Sequence, residues 1–269
     1  MRFAKRGEGG RGRFRNKTRG GKGMQAKQDM LVQAEECAQR AGFYRYLSRL
    51  FYKEVDEDLL AAIERTQPVL PLTEGMDETE RAFTRGSNKM VKCAAQRNAD
   101  TLTQSRCDYA RVFLGAGSTA DDPVSPFESV YTSEDHLLMQ GSRDEMFRIL
   151  IEAGLAIDDD FNMPEDHISF EFQYLAHLLD VEAAACESGD AKNVEAAHEA
   201  STNFFAAHIA NWVPSFCEAA GQLAKTSFYR GLAECAAAWI AMEAQCYRGS
   251  VEGFDANDLP ADAQVQEVA

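Results

Sequence analysis

The spacing of apolar side chains constrains the fold of this chain more than any other feature. From about Gln28 onward, apolar residues recur at steps of three and four, which is the period of an amphipathic α-helix. The clearest stripe consists of Leu31, Ala34, Cys37, Ala38, Ala41, Tyr44, Leu47, Leu50 and Phe51. No segment shows the alternation typical of a β-strand, and no internal repeat of about 20 residues or more occurs. We therefore predict an all-α fold: a single globular bundle of roughly nine to eleven helices.

Capping signals indicate where several of these helices begin and end. Asp56 can cap a short helix that stops near Pro68, and Gly154 can close a helix that follows Ser142. Pro164 suits the first turn of another helix, and the acidic residues beside it suit the positive end of the helix dipole. The same periodicity predicts helices over residues 77–95, 98–113, 143–153, 192–210 and 226–245.

Charge is distributed very unevenly along the chain. The whole chain has a net charge of −15, yet residues 1–27 hold ten basic side chains and only one acidic side chain, Glu8. The other 242 residues therefore carry 18 basic and 42 acidic side chains, a net charge of −24. Such a field repels nucleic acid and anionic lipid and attracts cationic partners. We expect no nucleic acid partner for this acidic body.

The basic head, residues 1–23, is rich in glycine and has no apolar periodicity, so we expect it to be disordered. It lacks the apolar stretch of a secretory signal and the Arg-Arg pair of a twin-arginine leader. One interpretation is an RNA-binding tail; the one we favour is a mis-assigned start, with Met24 as the true first residue. The division that follows is a head over 1–23, an all-α domain over 24–250 and an acidic, frayed tail over 251–269.

Two further features bear on the compartment. No stretch approaches the roughly 18 to 20 consecutive apolar residues that a membrane-spanning helix needs, so we predict no membrane span. The seven cysteines are scattered and include no C-x-x-C pair, which argues against a disulfide scaffold and against a zinc knuckle. We predict a cytoplasmic protein.

The motifs that would indicate catalysis or cofactor binding are weak. Residues 115–120 match G-x-G-x-x-A, but they follow a predicted helix rather than a strand, so a helix C-cap explains them better. Glu195-x-x-His198 occurs once, whereas a carboxylate-bridged metal pair needs two such motifs. Asp166 and His167 are adjacent, and adjacent helical side chains point about 100° apart, so they form a dyad only with difficulty. We predict no catalytic residue, no cofactor and no metal, with an all-α enzyme using Asp166 and His167 as the alternative.

Two segments carry a more specific pattern. The first is Tyr109-x-x-x-Phe113-Leu114-Gly115 followed by Pro126-Phe127-Glu128-Ser129-Val130-Tyr131, and the second is Pro164-Glu165-Asp166-His167-Ile168-x-x-Glu171-Phe172. In an all-α chain, this order resembles the TorD/DmsD/NarJ-type chaperones of redox-enzyme maturation. The resemblance covers most of residues 30–245. It departs from the family at Phe127, where a tryptophan is common, and in the basic head, which has no counterpart.

The resemblance implies a TorD-like fold and a cytoplasmic chaperone for the precursor of a molybdopterin oxidoreductase catalytic subunit. Its partner would be the leader peptide of that precursor, the apo-form, or both, and the protein would be a monomer or a homodimer. The implied peptide-binding residues are Phe127, Glu128, Ser129, Tyr131, Glu165, Asp166, His167 and Glu171.

A physical argument supports the same partner. A twin-arginine leader is basic and then apolar, so carboxylates beside an apolar groove would suit it. Glu165 and Asp166 are the candidates for contacts with arginine, and His167 is a hydrogen-bond partner or a helix-start residue that fastens the 126–131 loop. We expect Asp166 and His167 to remain exposed.

Overall fold

The structure is a computed structural model that describes residues 17–116, 124–155 and 163–248. Over these residues the chain forms ten α-helices and one π-helical turn, which confirms the predicted all-α class and helix number. The elements are α1 (Lys17–Tyr52), α2 (Glu57–Thr66), α3 (Glu78–Ala95), α4 (Ala99–Phe113), α5 (Glu128–Thr132), α6 (Gly141–Glu152), α7 (Ile168–Ser188), α8 (Ala191–Phe205), a π-helical turn (Ala206–Ala210), α9 (Val213–Leu223) and α10 (Ser227–Arg248).

The helices that the sequence predicted best are those with side-chain caps. Asp56 accepts a hydrogen bond from the backbone N–H of Leu59 and begins α2, as expected. Asp77 and Glu80 form a capping box at the start of α3, and Asn98 caps α4. Gly115, with φ of 65°, follows the end of α4, and the N–H of Ala116 bonds to the carbonyl of Ala110 at 3.0 Å. The glycine pattern is therefore a helix terminus, as predicted, although residues 117–120 lie outside the described residues.

Two pairs of helices pack together most extensively, α1 against α7 and α3 against α10. The core between these elements is aromatic: the ring of Phe51 lies 5.6 Å from Phe113, 5.5 Å from Phe216 and 6.2 Å from Phe172, measured between centroids. Trp212 is fully buried in the same core. These ring contacts join α1 to α4, α7 and α9. No helix among the described residues has the length and apolar character needed to cross a membrane.

Several predicted boundaries differ from the structure. Helix α1 begins at Lys17, so its first two turns lie within the head that we expected to be disordered; residues 1–16 and the tail after Arg248 lie outside the described residues. Leu31 and Ala38, at the outer edge of the predicted stripe, are exposed. Helix α6 begins at Gly141 rather than after Ser142.

The predicted helix over 192–210 changes to π geometry after Phe205, and the short helices α5 and α9 were not predicted. Pro164 lies in a turn before α7 rather than in its first turn, because the N–H of His167 bonds back to the carbonyl of Pro164 at 3.2 Å. The helix itself begins only at Ile168.

Candidate functional site

The two sequence segments meet in the structure and form one unit, residues 126–131 together with residues 164–171, which we call the two-motif unit. The N–H of Glu128 donates to the carbonyl of Asp166 at 3.0 Å, and the N–H of Ile168 donates to the carbonyl of Pro126 at 2.9 Å. Between these bonds, Phe127 and His167 lie opposite each other in an antiparallel bridge. The loop before α5 and the loop before α7 are thus fastened by backbone hydrogen bonds, although about 40 residues separate them in the sequence.

Asp166 serves as the N-terminal cap of α5 from outside that helix. Its Oδ2 accepts hydrogen bonds from the backbone N–H of Ser129, at 2.9 Å, and from the Ser129 hydroxyl. The residue that precedes α5, Phe127, has no side chain that could perform this function. Burial raises the pKa of Asp166, while the bonds from Ser129 oppose that effect by favouring the carboxylate. A short helix of five residues is therefore held by a carboxylate from the start of α7.

His167 is the N-cap of α7. Its Nδ1 accepts a hydrogen bond from the backbone N–H of Ser169 at 3.1 Å, so the neutral ring carries its proton on Nε2. The ring meets that of Phe127 edge to face, with centroids 5.0 Å apart. Burial in these surroundings lowers the pKa of His167 to about 4, which keeps the imidazole neutral in ordinary buffers. Of the two roles that the sequence left open for His167, the structure shows the helix-start residue that lies against the 126–131 loop.

Two further carboxylates of the unit point into the interior and contact each other. Glu128 accepts from Nδ1 of His208 at 2.9 Å, and Glu171 accepts from the indole N–H of Trp212 at 3.1 Å. Burial raises the pKa of Glu171 well above its usual range, and the nearby charge of Glu128 raises it further. Burial and the neighbouring charge of Glu128 therefore both favour the protonated form of Glu171. The bonds to His208 and Trp212 join α5 and α7 to the segment that contains the π-helical turn and the start of α9.

The expectation that Asp166 and His167 are exposed is wrong. Both are buried, and so are Glu128, Ser129 and Glu171. The physical reason is that the 126–131 loop lies directly over the start of α7, where its backbone pairs with Asp166 and Ile168 and the side chains of Asp166 and His167 cap α5 and α7. Direct contact between an arginine of a client and the carboxylate of Asp166 would require this loop to open.

The other three predicted site residues are more accessible. Phe127 is half-buried, and Tyr131 is half-buried with its ring 5.3 Å from that of Trp212. Glu165 is also partly exposed, and it forms a two-point ion pair with Arg143 of α6, at 2.5 Å from Nε to Oε2 and 3.1 Å from Nη2 to Oε1. Arg143 was not predicted. Sequence alone gives no signal for it, because the pair joins residues 22 positions apart on separate elements.

Within the described ranges, no three histidine, cysteine, aspartate or glutamate side chains are grouped as a metal ion would require. His198, from the single Glu-x-x-His motif, bonds through Nδ1 to Glu182 of α7 at 2.9 Å. Ser201 donates to the same carboxylate at 3.0 Å. Burial acts to raise the pKa of Glu182, but the hydrogen bonds with His198 and Ser201 have the larger effect. The pKa of Glu182 is therefore lower than its ordinary value. This cluster therefore ties α8 to α7.

A cleft of about 730 Å³ lies apart from the two-motif unit, between α3, α9 and α10. Its lining includes seven alanines and charged side chains of both signs, among them Arg85, Lys89 and Glu234. Arg85 and Lys89 of α3 both pair with Glu234 of α10, with Nε of Arg85 at 2.9 Å and Nζ of Lys89 at 2.6 Å from its carboxylate. None of the eight predicted site residues is among the described residues that line this cleft.

Comparison with known proteins gives consistent results. The family model described as nitrate reductase delta subunit matches residues 74–218, which is just over half of the chain. A "Chaperone protein TorD" from Vibrio cholerae serotype O1 is 28% identical over 210 residues, which cover 77% of this chain and 91% of that protein. A protein of the same name from Shewanella pealeana is 27% identical, and the match covers 77% of this chain and 88% of that protein. One from Vibrio parahaemolyticus is 24% identical, and the match covers 76% of this chain and 92% of that protein.

Proposed function

The chain belongs to the nitrate reductase delta subunit family, to which the TorD chaperones also belong, and from that premise we propose which client it binds and where. The client is the precursor of a molybdopterin oxidoreductase catalytic subunit. The chaperone binds the leader peptide of this precursor, or its apo-form, in the cytoplasm and holds it while the cofactor is inserted.

The observation that carries this proposal is the position of the family match. Residues 74–218 include both halves of the two-motif unit, and the relatives that are named chaperones align over about three quarters of this chain. The unit is thus part of what this chain shares with a family of chaperones.

In this proposal, the eight residues of the predicted site have two different tasks. Glu165, Phe127 and Tyr131 are partly exposed and form the surface that borders the leader. The buried residues Glu128, Ser129, Asp166, His167 and Glu171 position that surface, because they hold α5 and the start of α7 together. Because fixed caps and backbone pairs hold this surface in place before binding, the chaperone loses less conformational entropy when the peptide binds.

The enzyme alternative has less support. Asp166 and His167 were its candidate acid and base, yet the carboxylate of Asp166 caps α5 and Nδ1 of His167 caps α7. The lowered pKa of His167, about 4, also makes the ring a poor base near neutral pH. The relatives are named as chaperones, which agrees with a protein that binds its client and does not transform it.

Co-expression with a candidate client tests the proposal. The tagged chain is produced with molybdopterin oxidoreductase catalytic subunits from the same organism, each with and without its leader. We expect one precursor to copurify, and to be lost or strongly reduced when its leader is removed. Failure to retain any of these precursors, or their leaders as synthetic peptides, would overturn the proposal.

A further inference from the structure

Exposed large apolar side chains are concentrated in one stretch of the chain next to the two-motif unit. Five of them stand in the loop before α6 and on α6 itself, with exposed fractions of 57% for Leu137, 46% for Leu138, 56% for Met139, 45% for Phe147 and 58% for Ile151. Single exposed apolar residues are common on protein surfaces, but five within fifteen positions are not. We call these five residues the α6 patch.

The patch is continuous with the proposed leader surface. Arg143, Phe147 and Ile151 follow one another at four-residue steps and therefore lie along one face of α6. The guanidinium of Arg143 lies 5.2 Å from the centre of the Phe147 ring and at the same time pairs with Glu165. The apolar face of α6 thus begins where the surface of the two-motif unit ends.

The loop of the patch is held in a conformation that costs free energy. His136 and Met139 have φ values of 52° and 62°, in the left-handed region that residues other than glycine rarely adopt. Hydrogen bonds fix the loop at both ends: Nδ1 of His136 lies 2.9 Å from the carbonyl of Val130, and the hydroxyls of Thr132 and Ser142 are 2.8 Å apart. The strained backbone thus keeps Leu137, Leu138 and Met139 at the surface, where their apolar side chains are available to a partner.

The charge around the patch limits what that partner can be. Residues 133–152 contain five acidic side chains, Glu134, Asp135, Asp144, Glu145 and Glu152, and two basic ones, Arg143 and Arg148, a net charge of −3. A second copy of this chain would bring the same negative charge against it. A segment that is apolar and also carries positive charge is complementary in both respects.

We infer that the α6 patch binds the apolar stretch of the client leader, with the basic residues of the leader lying against the acidic side chains around it. This inference rests on the proposed function and adds the place where the apolar half of the leader is held. Leu137, Leu138 and Met139 supply contact from the loop, and Phe147 and Ile151 supply it from the helix. The exposed face of α6 then supplies the apolar surface that a basic and apolar peptide needs.

The test compares two double variants in binding to the synthetic leader of the captured precursor. Phe147→Gln/Ile151→Gln removes the helical part of the patch, and Val69→Gln/Leu72→Gln removes two similarly exposed apolar residues far from it in the sequence. Because all four side chains are exposed, both variants should fold and keep the wild-type melting temperature to within a few degrees. We expect about a tenfold loss of affinity for the α6 variant and less than a twofold loss for the control.

A second peptide, in which serine and asparagine replace the apolar stretch of the leader, completes a double-mutant cycle between protein and peptide. It should bind the wild type more weakly than the native leader does, and the α6 variant should show no further loss with it.

If the wild type binds the native leader and the α6 variant binds it equally well, the inference about the patch is overturned while the proposed function stands. A variant that only converts a dimer to a monomer in size-exclusion chromatography would assign the patch to a second copy and would also overturn it. Absence of leader binding by the wild type would overturn the proposed function itself.

Discussion

His167 illustrates how a residue in a chaperone motif can have a structural role with a measurable pH signature. Its ring accepts a hydrogen bond at Nδ1 and lies against Phe127, in a position where a positive charge would have no water around it. The pKa falls to about 4 in the folded chain, whereas an unfolded histidine has a pKa near 6.5. Between these two values the unfolded state binds more protons than the folded state. The stability that His167 contributes is therefore complete above pH 6.5 and is lost as the pH falls toward 4.

The substitution His167→Asn tests whether His167 makes the fold less stable as the pH falls. An asparagine side chain can still accept the capping bond from Ser169 but cannot be protonated, so the variant should be less sensitive to acid. Lowering the pH from 6.5 to 5 should cost the wild type about 2 kcal/mol more free energy of unfolding than it costs the variant. Urea unfolding at several pH values measures this difference, and His177→Asn, on the same helix, controls for the removal of a histidine. Parallel stability curves for wild type and His167→Asn would contradict the prediction.

The sequence could predict that the two segments lie together but not how exposed their residues are. The resemblance placed residues 126–131 and 164–171 together, and the structure pairs them through Glu128 and Ile168. What no spacing rule could show is that Asp166 caps a helix 37 positions away, which turns a carboxylate expected at the surface into a buried acceptor. Arg143 was missed for the same reason, because ion pairs between separate elements follow from tertiary packing and leave no periodic signal.

At the scale of elements, α3 and α10 approach each other closely where each carries a glycine. A β-carbon on Gly86 would lie 2.5 Å from the backbone nitrogen of Cys235 and 2.7 Å from the carbonyl oxygen of Gly231. A β-carbon on Gly231 would in turn lie 2.6 Å from the carbonyl oxygen of Gly86. Both helices therefore need glycine at their crossing, since the atoms that would be struck are backbone and cannot rotate away.

Gly86→Ala should consequently destabilise the fold by about 2–3 kcal/mol, because α3 and α10 must move apart. Gly42 offers a matched control: it lies within α1, and a β-carbon there would meet no atom within 4 Å. Gly42→Ala should raise the free energy of unfolding by about 0.5–1 kcal/mol, since alanine has the higher helix propensity. Urea unfolding of both variants measures the contrast. Equal effects of the two substitutions would show that the helix crossing tolerates a side chain.

Helix prediction succeeded where caps and periodicity agreed and failed where they did not. Helices α2, α3 and α4 begin at Asp56, Asp77 and Asn98, and these caps fix their register independently of packing. Helix α5, with five residues, is too short to show a period. The stretch from Phe205 to Val213 is almost continuously apolar, so its change to π geometry could not be seen, although Pro214 near the start of α9 was an available signal.

On the scale of the whole molecule, charge is the property most relevant to the proposed capture of a client. The chain after Lys27 has a net charge of −24, and the surface around the α6 patch is acidic as well. A field of this kind accelerates the approach of a basic leader but contributes less once the two are in contact, where apolar burial dominates. The rate of association should therefore depend on salt much more than the rate of dissociation does.

Stopped-flow binding of a fluorescent leader peptide at increasing NaCl separates these two rates. Raising the ionic strength from about 50 mM to about 500 mM shortens the screening length from about 14 Å to about 4 Å, so the association rate constant should fall by roughly an order of magnitude. A leader whose twin arginines are replaced by lysine keeps its charge and should show the same salt dependence, with faster dissociation because the two-point contacts of arginine are lost. A leader with glutamine at both positions should associate more slowly and depend less on salt. If salt changed only the dissociation rate, specific ion pairs in the bound state, rather than the overall field of the acidic body, would govern capture.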